Sequence, residues 1–231
     1  MNIHGLTKTT LLDYPGLVAA TIFTGNCNFR CPFCHNYELV LAPDVFPEEH
    51  PDEILAFLKK RLGILKGVCI TGGEPTLNPD LKDFIISIKE LGYKVKLDTN
   101  GFKPDVLEDL LNSKLLDYVA MDIKAGRNNY SIATGIPNID ITKIEQSVQL
   151  LAHSDIEYEF RTTAVKNIHT NADFEDIKGW LPGSCRYFIQ GYKTTEGIGE
   201  NNCDSFTPND LNIFLNIVKS SIPSASLRGI D

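Results

Sequence analysis

The chain has 231 residues, 42% of them hydrophobic and 23% charged, with a formal net charge of −8. That length can bury a sizeable core, and so ordinary a composition excludes a disordered or low-complexity chain. The acidic balance, without a basic run or basic–aromatic patch, argues against nucleic acid as the main partner, because such binding neutralises phosphates with Lys and Arg.

No apolar run reaches the roughly 18 residues that a membrane helix needs. Residues 1–8 lack the charged-then-apolar build of a signal peptide. The expectation is a cytoplasmic protein with no membrane partner. Its six cysteines then read as ligands or buried thiols rather than disulfides.

Asp13-Tyr14-Pro15-Gly16 contains a Pro-Gly turn, and residues 17–24 are apolar and β-branched enough for a buried strand. Three cysteines follow in Cys27-Asn28-Phe29-Arg30-Cys31-Pro32-Phe33-Cys34, then His35-Asn36. A helix is expected over 51–62. From there one unit repeats. Strands at 67–71, 93–98, 117–123, 156–163 and 186–190 alternate with helices at 79–91, 104–111, 142–153, 173–180 and 208–218. Such alternation specifies parallel βα units, and right-handed crossovers leave an open sheet or a barrel. Without a linker or charge block, a single domain is expected over 1–231, with its core at about 13–220 and an irregular tail over 223–231.

The strand ends carry unusual residues: Thr24-Gly25-Asn26-Cys27, Thr71-Gly72-Gly73-Glu74-Pro75, Asp98-Thr99-Asn100-Gly101, Asp122-Ile123-Lys124, Arg161-Thr162-Thr163 and Gln190-Gly191-Tyr192. Carboxyl ends of parallel strands are where α/β folds build their sites.

C-x3-C-x2-C spacing suits three irons of a [4Fe–4S] cluster. Most clusters take four cysteines, so a fourth iron would stay open for a small molecule. Zinc with His35 as fourth ligand and an ordinary cysteine-bearing loop are the alternatives; against zinc, adjacent Cys34 and His35 are poorly placed to share one tetrahedral ion, and zinc sites pair their ligands differently. Gly72-Gly73-Glu74-Pro75 offers backbone free of Cβ atoms for close approach and a carboxylate for a ligand ammonium, or else a plain tight turn. Asp98, Thr99 and Asp122 suit an oxygen-rich cation site or loop hydrogen bonds. Lys124 is either a carboxylate partner or a solvated lysine. Gly197-Ile198-Gly199 lacks the third glycine of a dinucleotide fingerprint. Cys69, Cys185 and Cys203 read as structural thiols.

The cysteine triplet with Phe33 before its last cysteine, and the Gly72-Gly73-Glu74-Pro75 run, resemble the radical S-adenosylmethionine (SAM) superfamily. Cys34-His35-Asn36, Asp98-Thr99-Asn100-Gly101, Asp122-x-Lys124, Asp13-Tyr14-Pro15-Gly16 and Tyr130-x3-Thr134-Gly135 narrow the resemblance to activating enzymes of glycyl-radical enzymes. Pyruvate formate-lyase activators carry Asp-Gly-Pro-Gly-Ile-Arg before the first strand, and here the arginine is missing. Leu12-Asp13-Tyr14-Pro15-Gly16, Ala19-Ala20-Thr21-Ile22-Phe23 and Arg161-Thr162-Thr163 are similar to activators of anaerobic ribonucleoside-triphosphate reductase.

The resemblance implies a partial (β/α)6 TIM-type barrel. Cys27, Cys31 and Cys34 would ligate the cluster, and SAM would fill its open iron. Backbone near Phe33 would meet the adenine. Gly73 and Glu74 would take the amino group, and Thr99, Asp122 and Lys124 the ribose and methionine parts. A monovalent cation would lie near Asp98, Thr99 and Asp122, and Asp13 would help receive a partner loop. No side-chain acid or base is implied, because cluster and SAM carry the chemistry. The reaction would be reductive cleavage of SAM and hydrogen abstraction from a glycine Cα of a protein partner. A flavodoxin- or ferredoxin-type protein would supply the electron. A pyruvate formate-lyase-type activator, a radical SAM enzyme acting on a small molecule, and an electron-transfer iron–sulfur protein are the competing readings.

Overall fold

Apolar runs alternating with amphipathic helices build the chain as the sequence pattern requires. The computed structural model describes residues 1–183, 185–193 and 203–229; the Gly197-Ile198-Gly199 segment lies outside them. In chain order the elements are β1 (Ile3–Thr10), β2 (Ala19–Thr24), α1 (Tyr37–Leu41), α2 (Pro51–Lys60), β3 (Gly67–Gly72) and α3 (Leu81–Glu90). Then come β4 (Lys94–Thr99), α4 (Pro104–Asn112), β5 (Tyr118–Asp122), α5 (Tyr130–Thr134), α6 (Ile141–Ala152), β6 (Glu157–Ala164), α7 (Asn171–Trp180), β7 (Arg186–Gly191), α8 (Pro208–Lys219) and β8 (Ser226–Arg228).

All six expected strands form, each within about two residues of its expected bounds. The helices are set by familiar devices. Helix α3 buries Leu81, Phe84, Ile85 and Ile88, the spacing of one helical face. Helices α7 and α8 each begin with a capping box, Thr170 with Asp173 and Thr207 with Asp210, which satisfies otherwise orphaned N–H groups.

Packing divides the chain into two compact units. The first comprises Met1–Asn28, Asn36–Ala120 and Ser154–Glu157, and the second Phe29–His35, Met121–His153 and Tyr158–Asp231. In the first, the strand order is β1-β2-β3-β4-β5, with β1 antiparallel to β2 and parallel pairing of β2 with β3 and β3 with β4. In the second, the order is β5-β6-β7-β8, with β6 parallel to β7 and β7 to β8. Strand β5 is divided between the two. Its central residues are fully buried, as expected for a strand covered on both faces.

Two strands lie where none was expected. Strand β1 is a polar run containing Gly5 and several threonines, and its pairing with β2 rather than its own propensity makes it a strand. The tail expected to be irregular contains β8, three residues paired with Phe188–Gln190 of β7. Among the described residues no helix is long and apolar enough to cross a membrane.

Gly179 sits exposed in the last turn of α7, with nothing near the position a Cβ would occupy. Gly179→Ala should therefore stabilise the protein by about 0.5–1 kcal/mol, the helix-propensity difference. Chemical denaturation should show a higher midpoint, and a lower one would mean that the position is constrained.

Candidate functional site

Register determines how the first unit presents its residues. Thr24 at the end of β2 pairs with Gly72 at the end of β3, so the segments leaving both strands lie side by side. Gly73 N–H donates to the Thr24 carbonyl at 2.7 Å, and Glu74 N–H to the Asn26 carbonyl at 2.8 Å. A Cβ on Gly73 would stand 1.8 Å from the Asn26 oxygen, and one on Gly72 2.4 Å from the Thr24 backbone. Gly72 also has φ +115°, a region open to glycine. What approaches the double glycine is therefore the protein's own backbone, one residue before Cys27. Asn26 has φ 61°, which Asn tolerates better than most residues, and Asn36 closes the arrangement by donating its Nδ2 to the Gly72 carbonyl at 2.8 Å.

Glu74 is buried with both carboxylate oxygens engaged. Oε1 accepts from the Thr76 N–H (3.1 Å), the Thr76 hydroxyl (2.6 Å) and the Thr99 hydroxyl (2.8 Å), and Oε2 accepts from the Asn100 N–H at 2.7 Å. Burial raises its pKa against the pull of these donors. The carboxylate thus ties the end of β3 to the end of β4. Asn100 continues the connection, donating Nδ2 to the Asn28 Oδ1 (2.8 Å) and lying 3.7 Å from the Cys27 Sγ.

Asp98, two residues along the same strand face from Lys96, is ion-paired with that lysine. Asp13 accepts from the Thr21 hydroxyl at 2.5 Å, which fixes the loop before β2. Tyr14 beside it is buried with Ala19, Tyr118 and Ala120.

In the second unit, Cys34 N–H donates to the Cys31 carbonyl at 3.1 Å, making a tight turn of the last two motif cysteines. The turn is held from α5: Arg30 N–H donates to the Thr134 carbonyl at 2.7 Å. Gly135, at φ +67°, passes so near that a Cβ would lie 2.4 Å from the Arg30 oxygen. The Tyr130-x3-Thr134-Gly135 segment is thus a clasp on the cysteine loop. Phe33 is buried with its ring edge-on to His169, 6.2 Å between centroids. His169 Nδ1 accepts from the Val165 N–H (3.0 Å) and Nε2 donates to the Lys124 carbonyl (2.8 Å); burial depresses its pKa, keeping it neutral.

Asp122 lies between two cations. Its Oδ2 is 3.0 Å from the Lys124 Nζ and its Oδ1 2.9 Å from the Arg161 Nε. Burial works against this carboxylate's charge, yet Arg161 and Lys124 hold it well below the usual range. Burial would likewise lower Lys124, but Asp122 and the neighbouring Cys31 raise it above the usual lysine range. Cys31 is pushed up to about 11 by burial, against the pull of the Lys124 ammonium. A metal-bound thiolate at Cys31 would therefore have its counter-cation in place.

Cys69 and Cys185 are buried thiols, and burial pushes Cys185 up to about 12. Cys203 is also buried. Asn100, Arg161 and Arg30 stand in the sequence motifs without a role of their own, and Lys96 stands in none of them. The signal for Lys96 and Arg161 was available, since a charged side chain inside or ending an apolar parallel strand needs a partner.

The family model for the Radical SAM superfamily matches residues 21–181. A Methanocaldococcus jannaschii protein, provisionally named a glycyl-radical enzyme activating enzyme, is 32% identical over 99% of this chain and 96% of its own length. A second protein from that organism with the same provisional name is 29% identical over 74% of this chain and 66% of its own. Among solved structures, Streptococcus suis SuiB bound to S-adenosylmethionine superposes with a TM-score of 0.66 at 16% identity, covering 88% of this chain and 48% of SuiB. The chain belongs to the Radical SAM superfamily and is a radical SAM enzyme with the partial (β/α)6 barrel fold; its cofactors are a [4Fe–4S] cluster and SAM.

The donor set agrees with those cofactors. Cys27 has an amide donor beside its sulfur, and Cys31 and Cys34 have the Lys124 ammonium in their field. Among the described residues no three His, Cys, Asp or Glu side chains converge on a single metal ion, whereas a cluster spreads its cysteines over several irons.

Gly73→Ala should be strongly destabilising, by about 3 kcal/mol or more, because a fixed backbone oxygen occupies the Cβ position. Iron loading after anaerobic reconstitution should fall with it. An alanine variant as stable and as iron-replete as the parent would show that the Asn26 segment moves freely.

Proposed function

We propose that the protein activates a glycyl-radical enzyme, and that its partner is an anaerobic ribonucleoside-triphosphate reductase. Near-full-length likeness to a relative with that provisional activating role carries the first statement. The second rests on Leu12-Asp13-Tyr14-Pro15-Gly16 and Arg161-Thr162-Thr163, whose likeness to reductase activators is given above.

In this reading Cys27, Cys31 and Cys34 hold the cluster. When bound, cluster and SAM supply one-electron cleavage of the sulfonium and the radical that removes a hydrogen atom from a glycine Cα. The protein's own residues position and shield. Gly73 offers its backbone to the amino group of SAM, and the internally braced Glu74 keeps that backbone in place. Lys124, already charged and aimed by Asp122, pairs with the carboxylate. Thr99 and Asp122 take the remaining polar contacts, and backbone beside Phe33 meets the adenine. Asp13, held by Thr21, lies on the loop that receives the partner. A flavodoxin- or ferredoxin-type protein delivers the electron.

Reduced, reconstituted protein should be incubated without oxygen with SAM and, separately, an anaerobic ribonucleotide reductase and a pyruvate formate-lyase. A glycyl-radical doublet in the EPR spectrum of the reductase alone is expected. A doublet only on the lyase would overturn the partner, and SAM cleavage with no protein radical would overturn the activating role in favour of a small-molecule substrate. Lys124→Met should weaken SAM binding about 10- to 100-fold, the worth of a charge-assisted hydrogen bond. Unchanged affinity in equilibrium binding would remove Lys124 from the site.

A further inference from the structure

The resemblance brings with it a free monovalent cation at Asp98, Thr99 and Asp122, and the side chains present do not fit one. Each of the three is already engaged within its own unit. Asp98 carries the ammonium of Lys96. The Thr99 hydroxyl donates to Glu74 at 2.8 Å and accepts from the Gly101 N–H at 3.1 Å. The Asp122 oxygens are divided between Lys124 and Arg161, two positive charges on one negative.

Lys96 is the unusual member. It is 1% exposed, in a strand whose neighbours Val95 and Leu97 are fully buried on the opposite face. A buried ammonium is tolerated only when paired. Its Nζ contacts Asp98, lies 3.7 Å from the Cys69 Sγ, and stands 5.9 Å from the centre of the Tyr118 ring, a distance at which the ring face attracts a cation. Asp98 is steadied in turn by the Thr71 hydroxyl at 3.4 Å. Residues 96 and 98 project from the same face of β4, so the strand itself delivers cation and carboxylate together.

We propose that the Lys96 ammonium is a tethered cation that replaces the free monovalent ion, so the protein needs neither sodium nor potassium there. A second cation at Asp98 would have to approach an ammonium already in contact with the carboxylate, and repulsion between them disfavours it. A tethered cation is held by the chain whatever the salt, whereas a free ion must be recruited from solution. Lys96 acts as a positioning residue through Asp98, whichever protein receives the radical.

The test compares SAM affinity and thermal midpoint of the reconstituted holoenzyme in sodium, potassium and choline chloride at one ionic strength. Both should be the same in all three, with affinities within twofold. A fivefold or larger advantage for sodium or potassium, or saturable thallium binding seen by 205Tl NMR, would overturn the proposal. Lys96→Met should open the site: SAM affinity should drop at least tenfold in choline and recover in one of the metal salts. A folded Lys96→Met variant with parental affinity in choline would also overturn it. Should that variant not fold, the parental comparison still decides. Because none of these readings requires a partner protein, they fail or succeed separately from the choice of glycyl-radical substrate.

Discussion

The contact on which the site depends is the approach of two backbones with no side chain between them. Gly73 lies where any Cβ would overlap the Asn26 carbonyl, and the level register of β2 and β3 forces the two strand ends into that proximity. From it follows the position of the first motif cysteine, one residue beyond Asn26. The same device recurs in the second unit, where Gly135 lies against the Arg30 carbonyl just before Cys31. In each case the missing side chain lets a backbone hydrogen bond form beside it, Gly73 N–H to Thr24 and Arg30 N–H to Thr134, and these bonds hold the segments that carry the cysteines.

Charge is handled with the same economy of motion. Among the described residues Glu74 is met by four hydrogen-bond donors, two from Thr76 and one each from Thr99 and Asn100, so its carboxylate becomes a fastening between strand ends. Asp98 and Asp122 instead meet full cations, Lys96 in one case and Lys124 with Arg161 in the other. A low-dielectric surrounding strengthens each of these interactions and penalises any that is left incomplete. The result is polar groups whose directions are set by the protein's own contacts, which is what electrostatic preorganisation requires.

This division of labour suits a radical SAM enzyme. The cofactors carry the radical chemistry, and the chain's part is to position and shield them. What the chain supplies is fixed geometry: cysteines on two clasped turns, a cation beside the Cys31 and Cys34 thiols, and glycine backbone packed against the segment that carries Cys27.

Much of this was legible in the amino-acid order. The βα repeat follows from local periodicity, because each strand and helix needs its apolar pattern to bury a face. The Cys27–Cys34 spacing and the Gly72-Gly73-Glu74-Pro75 run are chemical signatures independent of where the chain folds. Partners were not legible. Strands β1 and β8 have weak patterns of their own and exist through pairing with β2 and β7. That Glu74 braces loops, that Lys96 neutralises Asp98, and that Thr134-Gly135 clasps the cysteine turn depended on residues brought together from distant parts of the chain. A sequence determines which groups must be buried or paired. Only the tertiary structure decides with whom, because burial makes pairing obligatory while distance in space selects the partner.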